Sequence, residues 1–273
     1  MEEKNEKTSQ EEKKAVAENV VDCFSDVDFS KVEINMEEMF RSGVHFGHHK
    51  SRKNPKMDEF IFGVKNGINI IDLQKTESKL KEALQFMESV IMQGKLILFV
   101  GTKKQAKKVV EMAARRCEMP FVTERWLGGT FTNFSAIAGR TRYLREGQDK
   151  LAKGEYEKYT KFEQMKFAEE LNRLETKMGG IKNMFSLPGA VFVASVVEDN
   201  LAIKEARVKG VPVIALADSN VDPRDVDYII PANEDAVSAL KILMTYAIKT
   251  ILAAKEKKRT MPAAPIEEKK EVK

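Results

Sequence analysis

Three observations predict an α/β fold built on a mainly parallel sheet. Near-continuous apolar runs at residues 95–100, 190–197 and 211–217 read as strands buried on both faces. Amphipathic helical patterns alternate with them, as strand–helix–strand crossovers require. Between residues 134 and 178 the pattern changes to long, charged, helical sequence, which predicts a helical hairpin inserted into that domain.

The chain of 273 residues is 42% hydrophobic, enough for a real core in one large domain or about two small ones. Residues 1–35 carry ten acidic side chains against five lysines and few aromatics, the composition of a disordered acidic tail, and the remainder carries +9. A basic body suits a polyanionic partner, because bound phosphate is neutralised and counterions are released. Cys23 and Cys117 are too few for a disulfide framework, so a reducing, cytosolic setting is expected. No apolar run approaches about 18 residues, and the N-terminus is acidic, so neither a membrane span nor an export signal is expected.

The domain is expected to span residues 36–140 and 179–254. Residues 36–40 read as a short helix ended by Gly43. Residues 44–57 form a polar loop punctuated by Gly and Pro, holding all three histidines (His45, His48, His49) followed by Lys50, Arg52, Lys53 and Lys56. Imidazoles could bind zinc, but no further Cys or Asp stands at a sensible spacing, and no metal site is expected. Contact of His and Lys/Arg beside Phe46 with phosphate or 2′-hydroxyl fits better; a merely solvated basic loop is the alternative. Residues 60–64 and 68–73 read as a hairpin around Lys65-Asn66-Gly67. From Thr76 a helix follows, with Leu80, Leu84, Met87 and Ile91 on one face.

The strand at 95–100 ends in Gly101 and leads into a helix from about Lys103 to Cys117. Gly101-Thr102-Lys103-Lys104-Gln105-Ala106 lacks the second glycine of a P-loop and the three glycines of a dinucleotide fingerprint, so no nucleotide cofactor is expected. The helix carries Lys103, Lys104, Lys107, Lys108, Arg115 and Arg116 against Glu111, a basic face that could meet RNA backbone or simply solvent. Residues 120–123 form a short strand into Glu124-Arg125-Trp126-Leu127-Gly128-Gly129-Thr130-Phe131-Thr132-Asn133-Phe134, a glycine-hinged junction around the single Trp. It offers groups for a sugar-phosphate backbone, or a Trp that plugs the core.

In the inserted stretch, Ile137, Leu144 and Leu151 recur every seven residues, and Phe167, Leu171, Leu174 and Met178 keep spacings of 4, 3 and 4. With a break at Lys153-Gly154, this predicts an antiparallel coiled-coil hairpin protruding over residues 141–178 toward a protein or RNA partner. After the strand at 211–217, residues 218–227 form an acidic loop explained either by a hard cation or by turn and capping chemistry. Residues 228–230 form a last strand, and Asn233 is expected to cap a helix bearing Ala236, Leu240, Leu243, Ala247 and Ile251 on one face. Residues 255–273 read as a disordered tail. No nucleophile–base pair, metal cluster or phosphate-cradling loop emerges, which favours RNA or protein binding over catalysis. The rival reading is an enzyme with a small-molecule site between Gly101 and Asp218.

Gly43-Val44-His45-Phe46-Gly47-His48, Asn54-Pro55-Lys56-Met57, Ile70-Ile71-Asp72-Leu73-Gln74-Lys75-Thr76, Phe99-Val100-Gly101-Thr102-Lys103 and Arg125-Trp126-Leu127-Gly128-Gly129-Thr130 resemble the small-subunit ribosomal protein 2 family, bacterial type. So do Gly179-Gly180-Ile181-Lys182, Leu187-Pro188, Ala202-Ile203-Lys204-Glu205-Ala206, Asp222-Pro223 and Val226-Asp227-Tyr228. The resemblance covers about residues 36–254 in family order and spacing. It implies a Rossmann-like three-layer domain with an inserted coiled-coil hairpin, no catalysis and no small-molecule substrate. It also implies binding to small-subunit rRNA and contact with neighbouring ribosomal proteins, including the large mRNA-binding ribosomal protein one. RNA-facing roles carry over to His45, Lys50, Arg52, Lys56, Lys103 and Arg125, with Arg140 and Arg142 where the hairpin begins. Two departures stand out: Ser195 where the family strand usually ends in Asp, and Lys53 where an aromatic is common.

Overall fold

The computed structural model describes residues 23–25, 27–29, 32–156 and 158–260. The chain enters the core earlier than the composition of its first 35 residues predicts. Phe24 is fully buried among apolar side chains, and Cys23, Phe29, Val32 and Ile34 pack against the same cluster. Apolar residues spaced through an otherwise charged segment are diluted in any compositional average, yet each can fill a gap in the core. The rest of the expected acidic tail, residues 1–22, 26, 30 and 31, lies outside the described residues.

Helix α1 (Met36–Arg41) starts at Asn35, whose side chain accepts the Glu37 backbone N–H. Strand β1 (Phe46–His49) follows, so the expected loop at 44–57 is in fact a strand and two 3-10 turns, Lys50–Arg52 and Pro55–Phe60. Pairing against a neighbouring strand overrides the polar composition there. Strands β2 (Ile61–Lys65) and β3 (Ile68–Ile71) form the expected antiparallel hairpin. Its turn residues Asn66 and Gly67 have φ of 52° and 78°, the paired left-handed conformation of a two-residue type I′ turn. With β1 they make a small sheet in the order β1-β3-β2.

Helix α2 (Leu73–Met92), capped by Asp72, buries Leu80, Leu84, Met87 and Ile91 as its periodicity predicts. Then β4 (Ile97–Val100), α3 (Lys107–Arg116), β5 (Phe121–Val122), α4 (Phe134–Ala152), α5 (Lys161–Met178), β6 (Ala190–Val193), α6 (Asn200–Val208), β7 (Val213–Ala217), β8 (Tyr228–Pro231) and α7 (Val237–Thr260) complete the described chain. The large sheet is parallel throughout, in the order β5-β4-β6-β7-β8. Alternation along each strand builds three layers. Ile97, Phe99, Phe192, Ile214 and Leu216 face α2, α3 and α7, whereas Leu98, Val100, Val191, Val193 and Val213 face α6, Trp126, Phe131 and Met57.

Helices α4 and α5 run antiparallel. Gln148 bonds Glu175, Leu171 packs directly over Gly147, and Tyr156 in the turn after α4 stacks on Phe167 at 5.0 Å, so the later part of this stretch meets the earlier part of α5. Leu144 and Leu171 are buried, but Leu151, expected in the apolar seam, is exposed. Beyond Leu151 the rings of Tyr156 and Tyr159, in the turn after Ala152, pack on Phe167 instead.

Helix α7 departs from two expectations. It runs to Thr260, beyond residue 254, because Lys255 and Lys257 pair with Glu118 and Glu88; residues 261–273 lie outside the description. It is also long and apolar enough to cross a membrane by length and composition alone. Its apolar residues, among them Leu240, Leu243, Met244, Ile248 and Ile251, are buried in the core shared with α2 and α3. The run was not evident from sequence because its lysines and threonines interrupt it.

Candidate nucleic-acid interface

Two of the residues named by the sequence, together with Asp218, stand beyond the carboxyl ends of the parallel strands. Lys103 follows β4, Arg125 follows β5 and Asp218 follows β7. Asp218 draws the small sheet onto this crest: its Oδ1 accepts the His48 backbone N–H at 3.1 Å, and its Oδ2 faces His48 Nδ1 at 2.9 Å. Asn69, fully buried in β3, donates Nδ2 to the His48 carbonyl at 2.9 Å and to Ser219 Oγ at 3.3 Å. A Cβ on Gly47 would stand 2.9 Å from Ser219 Oγ, so the close approach of β1 to this loop requires glycine.

The crest is an ionic network beneath a basic rim. Lys103 donates to Glu234 at 2.9 Å and Asp235 at 2.7 Å, and only 15% of its side chain is exposed. Burial pulls its pKa down, but the two carboxylates outweigh this and hold the ammonium above its usual range. The His48 imidazole is raised, chiefly by its hydrogen bond to Asp218 and against the cost of burial. Glu234 is pushed up by burial, with Lys103 opposing. Asp199, almost wholly buried, is pushed up to about 6 by burial although Thr102 donates to it at 2.8 Å.

His48, Asp218 and Asp235 each offer a ligand atom within 4.8 Å of one another, so these three are the described side chains that could hold a divalent cation. Spacing along the chain does not reveal such a group, because the two carboxylates stand some 170 residues and more after the imidazole.

This network divides the sequence-predicted residues. His45 is buried, stacked on Phe40 with centroids 4.3 Å apart and against Phe46 at 4.0 Å, and burial lowers its pKa. The enclosed ring, packed against Phe40 and Phe46, offers phosphate little access, so the structure gives His45 a packing role. Lys103 is spent on Glu234 and Asp235, and Lys56 on Asp222 at 2.5 Å. Lys50, Arg52, Arg125, Arg140 and Arg142 are exposed, and their side chains make no ion pair among the described residues. Lys104 and Lys108 are exposed as well. Lys53, in place of the aromatic, pairs with Asp58 at 2.5 Å.

The glycine-hinged motif is organised by a residue that sequence reading did not single out. Glu205 Oε1 accepts Trp126 Nε1–H at 3.2 Å and the Gly129 N–H at 2.8 Å; Oε2 accepts the N–H groups of Phe131 at 3.0 Å and Thr132 at 3.2 Å. Gly129 takes φ of 92° to present its amide. Burial pushes the Glu205 carboxyl up, but these donors outweigh it and hold the group below its usual range. The signal was present: Glu205 lies on the same helical face as Ala202, Ile203 and Ala206, where an unpartnered charge would be costly. Trp126 therefore plugs the core, 5.0 Å edge-on from Phe131, while Arg125 points outward. Leu127, Gly128, Gly129, Asn133, Ile137 and Arg140 line a shallow cavity of about 250 Å³ beside it.

The acidic loop is held by turn chemistry and ion pairs. Asp222 accepts the Arg224 N–H at 3.2 Å, Asp227 accepts the Val213 N–H at 2.8 Å, and Asp225 pairs with Arg207. Residues 39–254 match the family described as Ribosomal protein S2. The chain belongs to that family. The small ribosomal subunit protein uS2 of Thermus thermophilus is 45% identical over 224 residues, covering 82% of this chain and 88% of that one. Its counterpart in Roseiflexus sp. (strain RS-1) is 42% identical over 230 residues, covering 84% and 88%. The match takes in the crest, the Trp126 motif and Glu205, so the residues that shape the rim lie within the shared region.

Proposed function

We propose that the protein is a structural constituent of the small ribosomal subunit, bound to small-subunit rRNA through the rim of its crest. Family membership supports this reading and assigns the chain no catalysis. The observation that carries the RNA-binding surface is the division of its cations: Lys103 and Lys56 are neutralised internally, whereas Lys50, Arg52, Arg125, Arg140 and Arg142 stand exposed and unpaired among the described residues. An unpaired cation on a fixed frame binds phosphate without first breaking an ion pair. The protein acts in the cytoplasm, on the ribosome. The paired helices α4 and α5 and the body beside them meet neighbouring ribosomal proteins, including the large mRNA-binding ribosomal protein one. Exposed Tyr143, Phe162 and Met165 on the helices supply apolar surface for that role.

Binding of the full chain to small-subunit rRNA across a salt series tests the surface. Replacing Arg125, Arg140 and Arg142 by Ala should weaken binding and reduce the salt slope by roughly two to three, at about 0.7–0.9 for each phosphate no longer neutralised. An unchanged slope with the fold intact would remove this rim from the interface.

A further inference from the structure

The small sheet turns one face to solvent. Along β3, Asn69 and Ile71 are buried, whereas Ile68 and Ile70 point the other way. Phe46 on β1 and Gly63 on β2 stand in register with Ile70; His49 and Lys65 stand in register with Ile68. Directly paired residues share a face, so the outer face carries a row of Phe46 and Ile70 beside a row of His49, Ile68 and Lys65. A Cβ on Gly63 would meet nothing within 4 Å, which leaves the flank of Ile70 open. At the irregularity between Ile61 and Gly63 stands Phe62, 81% exposed on an edge strand. Phe46 is 46% exposed and Ile68 38%.

Single exposed apolar residues are ordinary, but a group of them with two aromatic rings on one short sheet is a surface kept for a partner. Charge indicates which partner. Lys50 and Arg52, in the turn that directly follows β1, and Lys65 at the end of β2 are exposed without an ion pair among the described residues. The nearby Asp58 is already taken by Lys53. Aromatic rings on a sheet, flanked by unpaired cations, match what an unpaired stretch of RNA presents: π faces that stack, and phosphates between them. Lys50 and Arg52 are also among the exposed cations proposed to bind rRNA.

We infer that the outer face of the small sheet is a stacking platform for unpaired bases of the rRNA, with Phe62 as the stacking ring and Lys50, Arg52 and Lys65 holding the flanking phosphates. The inference rests on the reading of the rim as an rRNA surface and adds to it a contact made through bases rather than charge.

The two kinds of contact separate in a salt series, because stacking releases no counterions. The full chain is bound to small-subunit rRNA as the parent and as Phe62→Ala, Phe62→Leu and Phe62→Tyr, with thermal melts to check folding. Phe62→Ala and Phe62→Leu should each weaken binding about fivefold to a hundredfold with an unchanged salt slope, and Phe62→Tyr should bind as the parent does. Leucine keeps the apolar area and lacks the ring, so Phe62→Leu binding at parental affinity would overturn the stacking role. So would full rRNA affinity in every Phe62 variant, including the case in which incorporation into the subunit is impaired, since the face would then meet a protein. If the parent itself fails to bind rRNA, the reading of the rim falls as well; if only the arginine variants of the rim lose affinity, the platform alone is excluded.

Discussion

The Glu205 carboxylate accepts the Trp126 indole N–H at 3.2 Å, joining the middle of α6 to a loop 79 residues earlier. The same carboxylate gathers the Gly129, Phe131 and Thr132 amides, so one buried charge fixes the conformation of the whole motif. Glu205→Ala strands these donors and should destabilise the protein by about 3–5 kcal/mol, since each buried donor left unsatisfied costs about 1–3 kcal/mol. Glu205→Gln keeps an acceptor oxygen and should cost less, about 1.5–3 kcal/mol. Urea titrations followed by Trp126 fluorescence measure both. Equal stability of Glu205→Ala and the parent would show that the network holds nothing.

The pH dependence follows from the same group. Its folded pKa is depressed, so its contribution is present above the unfolded value of 4.5 and is lost as pH falls through the folded value. Glu205→Gln should therefore flatten the acid limb of the stability curve. An acid limb identical to the parent's would assign the loss to other carboxylates.

Asp199 titrates in the opposite sense. Its folded pKa, about 6, exceeds the ordinary 3.8, so the stability it contributes is present below 3.8 and lost as pH rises through 6. Asp199→Asn retains an acceptor for Thr102 and removes the buried charge. It should raise stability at pH 7.5 by up to about 3 kcal/mol, from 1.36 kcal/mol per pKa unit, and change little at pH 4. A variant less stable than the parent at pH 7.5 would mean that the ionised carboxylate is needed.

Thiol reactivity separates the two cysteines. Burial pushes the Cys117 thiol up to about 12, whereas Cys23 is half-buried. Alkylation of the native protein at pH 8 should modify Cys23 and leave Cys117 untouched until unfolding, because the thiolate is the nucleophile. Equal labelling rates would contradict the packing around α3.

The layers were legible because the runs at 95–100, 190–197 and 211–217 satisfy a doubly buried strand and little else. The Asn66-Gly67 turn was legible because few residue pairs accept positive φ twice. Strand β1 was hidden, since His48 and His49 look like loop chemistry until β3 pairs with them. Phe24 was hidden for a related reason, as a single aromatic in charged sequence has no periodicity to reveal its burial. At the interface, the sequence supplies where cations lie but not which are already paired: Lys103 and Arg125 look alike until Glu234 and Asp235, more than a hundred residues away, come within reach of Lys103.

Lys50 and Arg52 offer a direct contrast with Lys103. Lys50→Ala with Arg52→Ala should leave the melting temperature within about 2 °C, since surface changes are usually within 0.5 kcal/mol, and should weaken rRNA binding. Lys103→Ala should instead destabilise the fold by about 3–5 kcal/mol, leaving Glu234 buried and unpaired. Thermal melts paired with filter binding distinguish the two classes; a reversal of these effects would exchange the assignments of rim and frame.

The most direct measurement is sucrose-gradient sedimentation of the tagged full chain from lysate, with and without a high-salt wash. An integral component of the small subunit should comigrate with it and persist through moderate salt, with the Arg125, Arg140 and Arg142 triple variant released at lower salt than the parent. Sedimentation as a free protein at every salt concentration would contradict a place in the subunit.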